Sequence, residues 1–193
     1  MFRIILGVLG VNFALFGVSA ARGIPLTLFV FSVLYTLGVL PEEVRTQGGG
    51  LSAADVVSLL VLQDFLQYLV HVAEHKANCA SHRIHHTRTH PKTADAFHAG
   101  LLDIALQLFS PLFVSIWCVR PTQESLTAFG ALYALWLQWI HDDCAASLKC
   151  RSRFMVTPFY HRTHHAHPTK NFGHFLTVWD VAFGTQHRVN DPS

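Results

Sequence analysis

The chain has 193 residues, the length of one domain, and charged residues make up 13% of it, about half the roughly 25% of an average soluble protein. Hydrophobic residues reach 51%, with fifteen Phe and four Trp, so the composition is that of a membrane protein. A formal charge of +2 without any basic run excludes a nucleic-acid footprint, and the four cysteines (Cys79, Cys118, Cys144, Cys150) form no C-x-x-C pair, which argues against a zinc ribbon or a thioredoxin-like site.

Taken in order, residues 4–20 and 24–40 are apolar runs of about 17 residues each, near the lower limit for a membrane-spanning helix. Only Ala21-Arg22-Gly23 separates them, so 1–40 reads as an apolar helical hairpin. The first run also has the look of a signal peptide ending at Val18-Ser19-Ala20. Cleavage there would put the mature start and the histidines on the outer face, away from cytosolic electrons, and the uncleaved hairpin is the preferred reading. Residues 41–50 are a polar connection. Residues 51–76 read as a helix capped by Ser52, with Asp55 three residues on as an imperfect capping box. Its interior holds Gln63, Asp64 and Gln67, polar groups that at such depth face a protein interior or a site. Asp64 and Gln67 read as lining a substrate tunnel or as core hydrogen-bonding groups. Residues 78–98 are polar and histidine-rich. Residues 100–119 are apolar and helical, interrupted at Pro111, and 125–140 form the next apolar helix, ending at His141-Asp142-Asp143. No further span follows. The expected fold is all-α, a multi-pass transmembrane bundle of four to five apolar helices with a histidine-rich cytosolic cap. It forms a single membrane domain in which 51–193 carries the chemistry.

That chemistry is written in histidines. His71 and His75 form H-x-x-x-H at the end of one apolar segment. His82, His85 and His86 form H-x-x-H-H in the loop that follows, and His161, His164 and His165 repeat it. On a helix, positions i, i+3 and i+4 share a face, so each box is expected to aim three imidazoles at one spot. Counting spans places every cluster, with His141, on one membrane face, as a single shared site requires. Neutral imidazole suits iron, zinc, copper and nickel. Nine histidines are too many for one four-ligand structural ion and fit two metals with open positions. Carboxylates are scarce among them, which favours redox chemistry with O₂ over a calcium or magnesium role. His90, His167 and His187 read as surface residues.

The order H-x-x-x-H, H-x-x-H-H, lone His, H-x-x-H-H resembles the fatty acid hydroxylase/sterol desaturase superfamily. The ending Asn171-Phe172-Gly173, Trp179-Asp180, Phe183-Gly184-Thr185 is similar to that superfamily's N-[YF]-G…W-D…F-G-T, and Thr157-Pro158 fits as well. The resemblance spans roughly residues 71–185. It implies a histidine-bound di-iron centre that uses O₂ and two electrons to hydroxylate or desaturate a lipid. Carried over by motif, the ligands are His71, His75, His82, His85, His86, His141, His161, His164 and His165. Here Asp142 follows His141 where the family usually has Asn. His98 resembles the His of an H-P-x-E element, without its Pro and Glu, and His174 stands where Gln is common. Both are candidates for an additional ligand or for a group behind the ligands. Asp180 and Asn171 are expected to orient metal-bound imidazoles. No bound haem or nicotinamide is expected. The chain lacks G-x-G-x-x-G and H-P-G-G, so electrons are expected from a separate donor such as cytochrome b5 with its reductase, or a ferredoxin. The location is the endoplasmic reticulum membrane if eukaryotic and the inner membrane if bacterial, with the histidine face cytosolic. The competing readings are a carotenoid hydroxylase-like enzyme, against which the W-D…F-G-T ending speaks, and a metal transporter or haem cytochrome. A transporter places ligands at mid-membrane, and a haem protein leaves most of these histidines idle.

Overall fold

The computed structural model describes residues 23–46 and 49–187. The first arm of the expected hairpin lies outside them. Among the described residues every regular element is helical, apart from one isolated antiparallel bridge between Met155 and Leu176. Helix α1 (Gly23–Thr36) occupies the second apolar run, and a short α2 (Glu42–Arg45) follows it.

The organising helix is α3, Ala53–Lys76. Ser52 caps it as expected, its Oγ accepting from Asp55 N at 3.2 Å. The Asp55 carboxylate does not complete a capping box. It accepts from Thr122 N at 3.2 Å, across the bundle, while Ser52 N donates to Ser125 Oγ at 2.9 Å. Thr122 in turn caps α6, Gln123–Ile140, through Ser125 N. The N-terminal ends of the two long helices are thus fastened to each other.

The helix α5, Leu101–Val119, is continuous where a break at Pro111 was expected. Pro111 has no N–H for the Gln107 carbonyl and its ring would collide with that group. The preceding turn widens instead into a π segment, Ile104–Phe109, which absorbs the conflict without ending the helix. Helix α3 packs against both α5 and α6, around Leu59, Ile116, Phe129, Tyr133 and Ile140.

The buried stripe of α3 changes character along its length. It begins with Leu59 and Leu60, passes through Gln63, Asp64 and Gln67, and ends at His71 and Glu74. The opposite face exposes Val57, Val61 and Leu69. A helix with polar groups inside and aliphatic groups outside inverts the soluble pattern and belongs in lipid. Helices α3 and α5 are long and apolar enough to cross a membrane, whereas α6, 18 residues long, does not reach that apolarity. Two helices of this kind stand among the described residues, against the four to five expected along the whole chain. Among the described residues there are also four short α-helices, α4 (Ala80–His85), α7 (Asp143–Ser147), α8 (Pro158–Ala166) and α9 (Val178–Ala182), and a 3-10 turn at Thr93–Asp95.

Candidate metal centre

Histidines from four places meet at the inner end of α3. His71 and His75 stand on its last turns; His82, His85 and His86 come from α4 and its end; His141 terminates α6; His161, His164 and His165 lie on α8. Thr157-Pro158 sets α8 in place, with Thr157 Oγ1 accepting from Tyr160 N and the proline at the first helical position, where no N–H is missed.

The nine imidazoles sort into two sets. His71, His75, His82, His86 and His164 form one; His85, His141, His161 and His165 form the other. Within each set all ligand-type atoms lie within 4.8 Å of one another. This corrects the expectation that one box serves one spot, because each H-x-x-H-H box feeds both sets. Residues i and i+4 are roughly 40° apart around a helix, whereas i+3 and i+4 differ by about 100°. His82 and His86 therefore converge while His85 turns away, and His161 and His165 converge while His164 turns away.

The ring tautomers follow from the partners. His71 Nδ1–H donates to the Phe172 carbonyl (2.8 Å), that of His164 to Lys170 (2.6 Å), that of His141 to Leu137 (2.6 Å) and that of His85 to His98 (3.3 Å). A carbonyl only accepts, so in these four rings the proton is on Nδ1 and Nε2 carries a bare lone pair. Those Nε2 atoms point inward. His75 Nε2 lies 3.2 Å from His71, 3.2 Å from His164 and 3.0 Å from His82, and His161 Nε2 lies 3.0 Å from His141 and 3.2 Å from His165. Wherever both nitrogens of such a pair carry lone pairs they repel unless a cation lies between them. Bonds of about 2.1 Å set near right angles separate neighbouring nitrogens by roughly 3.0 Å. The donor set therefore fits metal ions.

Burial, with neighbouring imidazoles adding to it in most cases, keeps the rings uncharged. His85 is lowered to about 4 and His141 to about 3, and His161, His164, His165 and His174 are all pushed down. A neutral ring is the form that binds metal.

The remaining expected residues fall as follows. His98 brings its carbonyl to His85, and its ring belongs to neither set. His174 is buried with its ring centroid 4.7 Å from that of His71 and 5.8 Å from that of His161, beside both sets and in neither. Its carbonyl is fixed by Trp136 Nε1 at 2.8 Å. Asp180 touches no ligand ring. It accepts from Phe172 N and Gly173 N, both at 2.8 Å, from Tyr160 Oη at 2.9 Å and from Thr185 Oγ1 at 2.6 Å. It thereby holds the turn whose Phe172 carbonyl orients His71. Asn171 adopts the left-handed conformation, φ 61°, and binds Tyr160 O and His187 N, again acting on backbone. Asp64 takes the core role: its carboxylate accepts from Phe175 N, Leu176 N and Trp179 Nε1 at 2.8–2.9 Å. Gln67 accepts from Tyr133 Oη and borders a cavity of about 60 Å³ that His85, His141 and His174 also line.

Two acids escaped the sequence reading. Asp103 Oδ1 accepts from His82 Nδ1 at 3.0 Å, and Glu74 Oε2 lies 3.7 Å from the same nitrogen. All three are buried. An acid on an apolar helix, as Asp103 is, was the available signal.

Comparison with known proteins agrees with this site. Residues 56–185 match the model of the fatty acid hydroxylase family. An alternative squalene epoxidase of Phaeodactylum tricornutum is 32% identical over 91% of this chain and 52% of its own length. A cholesterol 25-hydroxylase-like protein of Danio rerio is 27% identical over 69% of this chain and 55% of its own, and an alkylglycerol monooxygenase of Caenorhabditis elegans is 27% identical over 69% and 27%. The chain spans about half the length of the first two relatives. No solved structure gives a significant match. The matched stretch runs from early in α3 to Thr185 and includes all nine converging histidines and the turn that orients them, and the chain belongs to the fatty acid hydroxylase family.

Proposed function

We propose that the chain is a membrane-bound, non-haem di-iron oxidoreductase that uses O₂ and external electrons to hydroxylate, or desaturate, a lipid. The observation that carries this reading is the double convergence of imidazole Nε2 atoms, four of them on rings whose Nδ1 protons are committed outward to carbonyls. His71, His75, His82, His86 and His164 would hold one iron, and His85, His141, His161 and His165 the other. When bound, the two irons supply O₂ activation and the oxidation of an unactivated C–H bond.

The protein's own part is positioning. Phe172, Lys170, Leu137 and His98 carbonyls fix ring orientation. The Asp103 carboxylate beside His82 holds that ring's tautomer and orientation. An almost wholly nitrogen ligand set leaves the positive charge of the metals uncompensated. The acids Asp64 and Asp180 are kept for hydrogen bonds to the backbone, where they brace the segment that closes the site. The polar inner stripe and aliphatic outer face of α3 suit a site reached from a bilayer. The electron donor in this reading is a separate protein, cytochrome b5 with its reductase or a ferredoxin. The membrane is that of the endoplasmic reticulum or the bacterial inner membrane, with the histidines on the cytosolic side. The relatives, an epoxidase, a hydroxylase-like protein and a monooxygenase, support oxidation of a lipid by O₂.

The test is elemental analysis of detergent-purified protein together with O₂ uptake after reduction. About two irons per chain and lipid-dependent O₂ consumption are expected. An absence of iron, or a Soret band with one haem per chain, would overturn the reading.

A further inference from the structure

A second, much larger cavity opens on the other side of α3. It measures about 770 Å³, within the range of small-molecule sites. Its wall is graded along the helix. Along α3 it passes from Leu69 and Val72 to His75 and Lys76; Phe183, stacked on Tyr68, and His82, Arg83 and His86 line it as well. Leu69 and Lys76 are separated by roughly 10 Å of helix rise. The apolar end lies toward the middle of the span and the cationic end lies at its terminus.

The charges at this cavity are one-sided. Lys76 and Arg83 are exposed, and among the described residues neither side chain makes an ion pair. Glu74 is the one acid in the wall, and it is buried, with its carboxylate turned to His82. Of the charged groups in the wall, only the two cations face water.

Resting on the di-iron lipid oxidation reading, we propose that this cavity takes an amphiphile with an anionic head, a long acyl or alkyl chain ending in a carboxylate or a phosphate. Lys76 and Arg83 hold the head. Leu69, Val72, Phe172 and Phe183 hold the chain. The metal-facing histidines His75, His82 and His86 line the same cavity, with His75 next to Lys76 on α3, so a carbon near the head is the one presented to the centre. A neutral lipid of the same chain length leaves both cations without a partner and gains only the apolar wall.

The experiment measures binding, not turnover. Purified iron-loaded protein is titrated with cis-parinaric acid, followed by its fluorescence, and the probe is displaced with oleate, oleyl phosphate and methyl oleate. Oleate or oleyl phosphate is expected to displace the probe at a concentration at least tenfold lower than methyl oleate, and the better of the two identifies carboxylate or phosphate as the head. The double variant Lys76→Gln/Arg83→Gln, at two exposed positions, is expected to lose that tenfold preference while methyl oleate binds as before. Val72→Trp, which fills the apolar end, is expected to weaken all three. Equal displacement by acid and ester, or an unchanged preference in the double variant, would overturn the proposal. Iron is counted in the same samples. Selective binding without iron sinks the oxidase reading and leaves the cavity assignment standing, whereas two irons without selectivity does the reverse.

Discussion

Asp64→Asn tests the idea that the metal site is braced from the middle of α3. The carboxylate is fully buried and receives three N–H groups, Phe175 N on Oδ1, and Leu176 N and Trp179 Nε1 on Oδ2. Asparagine can turn its one oxygen to Leu176 N and Trp179 Nε1, and its NH₂ then opposes Phe175 N. One hydrogen bond to a charged acceptor is lost, at a cost of roughly 1.5–3 kcal/mol. For a chain of this size 1 kcal/mol shifts the midpoint by roughly 2–4 °C, so the thermal midpoint should fall by about 3–12 °C. The effect should also reach the metal. Phe175 follows Phe172 by three residues, and the Phe172 carbonyl fixes His71. The assay is thermal unfolding of the detergent-purified variant, with iron counted by elemental analysis at each purification step. A wild-type midpoint with full iron retention would refute the bracing argument, because it would mean that the 175–179 segment is held by apolar packing alone.

Three further outcomes are expected. His164→Ala should lose iron and activity together, and intact two-iron content in that variant would sink the ligand assignment. Asp103→Ala removes the partner of His82 Nδ1 and should weaken metal retention by roughly 10–100-fold in chelator competition; retention equal to wild type would show that His82 is oriented by its helix alone. In Gly173→Ala the new Cβ would stand 2.6 Å from the Leu176 carbonyl oxygen and 3.0 Å from Asp180 Oδ2, so the turn must open and the folded, metal-loaded yield should drop sharply, whereas a wild-type yield would contradict the close approach.

Much of this was legible in the sequence. Ser52 announces the start of α3, Thr157-Pro158 the start of α8, and histidine spacing identifies all nine converging rings. What spacing does not reveal is the partition. His85 and His86 are neighbours in sequence but about 100° apart on the helix, so they serve different sets, and only the placement of α6 and α8 decides which. The roles of Asp64 and Asp180 were hidden for a different reason. Each acts on backbone N–H groups, and a backbone partner leaves no mark on residue type. Asp64 and Trp179 meet only after the chain has crossed the bundle and returned. The π turn before Pro111 is a third case: proline signals a conflict with the helix, but whether the helix ends or widens depends on what packs beside it.

The acids show how the site keeps its character. Three of the buried carboxylates near the histidines are committed: Asp64 and Asp180 to main-chain N–H groups, and Asp103 to the outer nitrogen of His82. None belongs to either convergent set of nine imidazoles. An ionised carboxylate in the depth of an apolar helix is costly unless it is fully hydrogen-bonded, and here those hydrogen bonds run to the segment that must close over the histidines. The same three residues therefore solve two problems. They satisfy their own charge through structure-forming bonds, and by being so engaged they leave the metal-facing interior to neutral nitrogen donors. Moving one of these carboxylates into the ligand sphere would lower the charge of the centre and release the brace in a single step, so the separation of acids from imidazoles is a property of the fold as much as of the site.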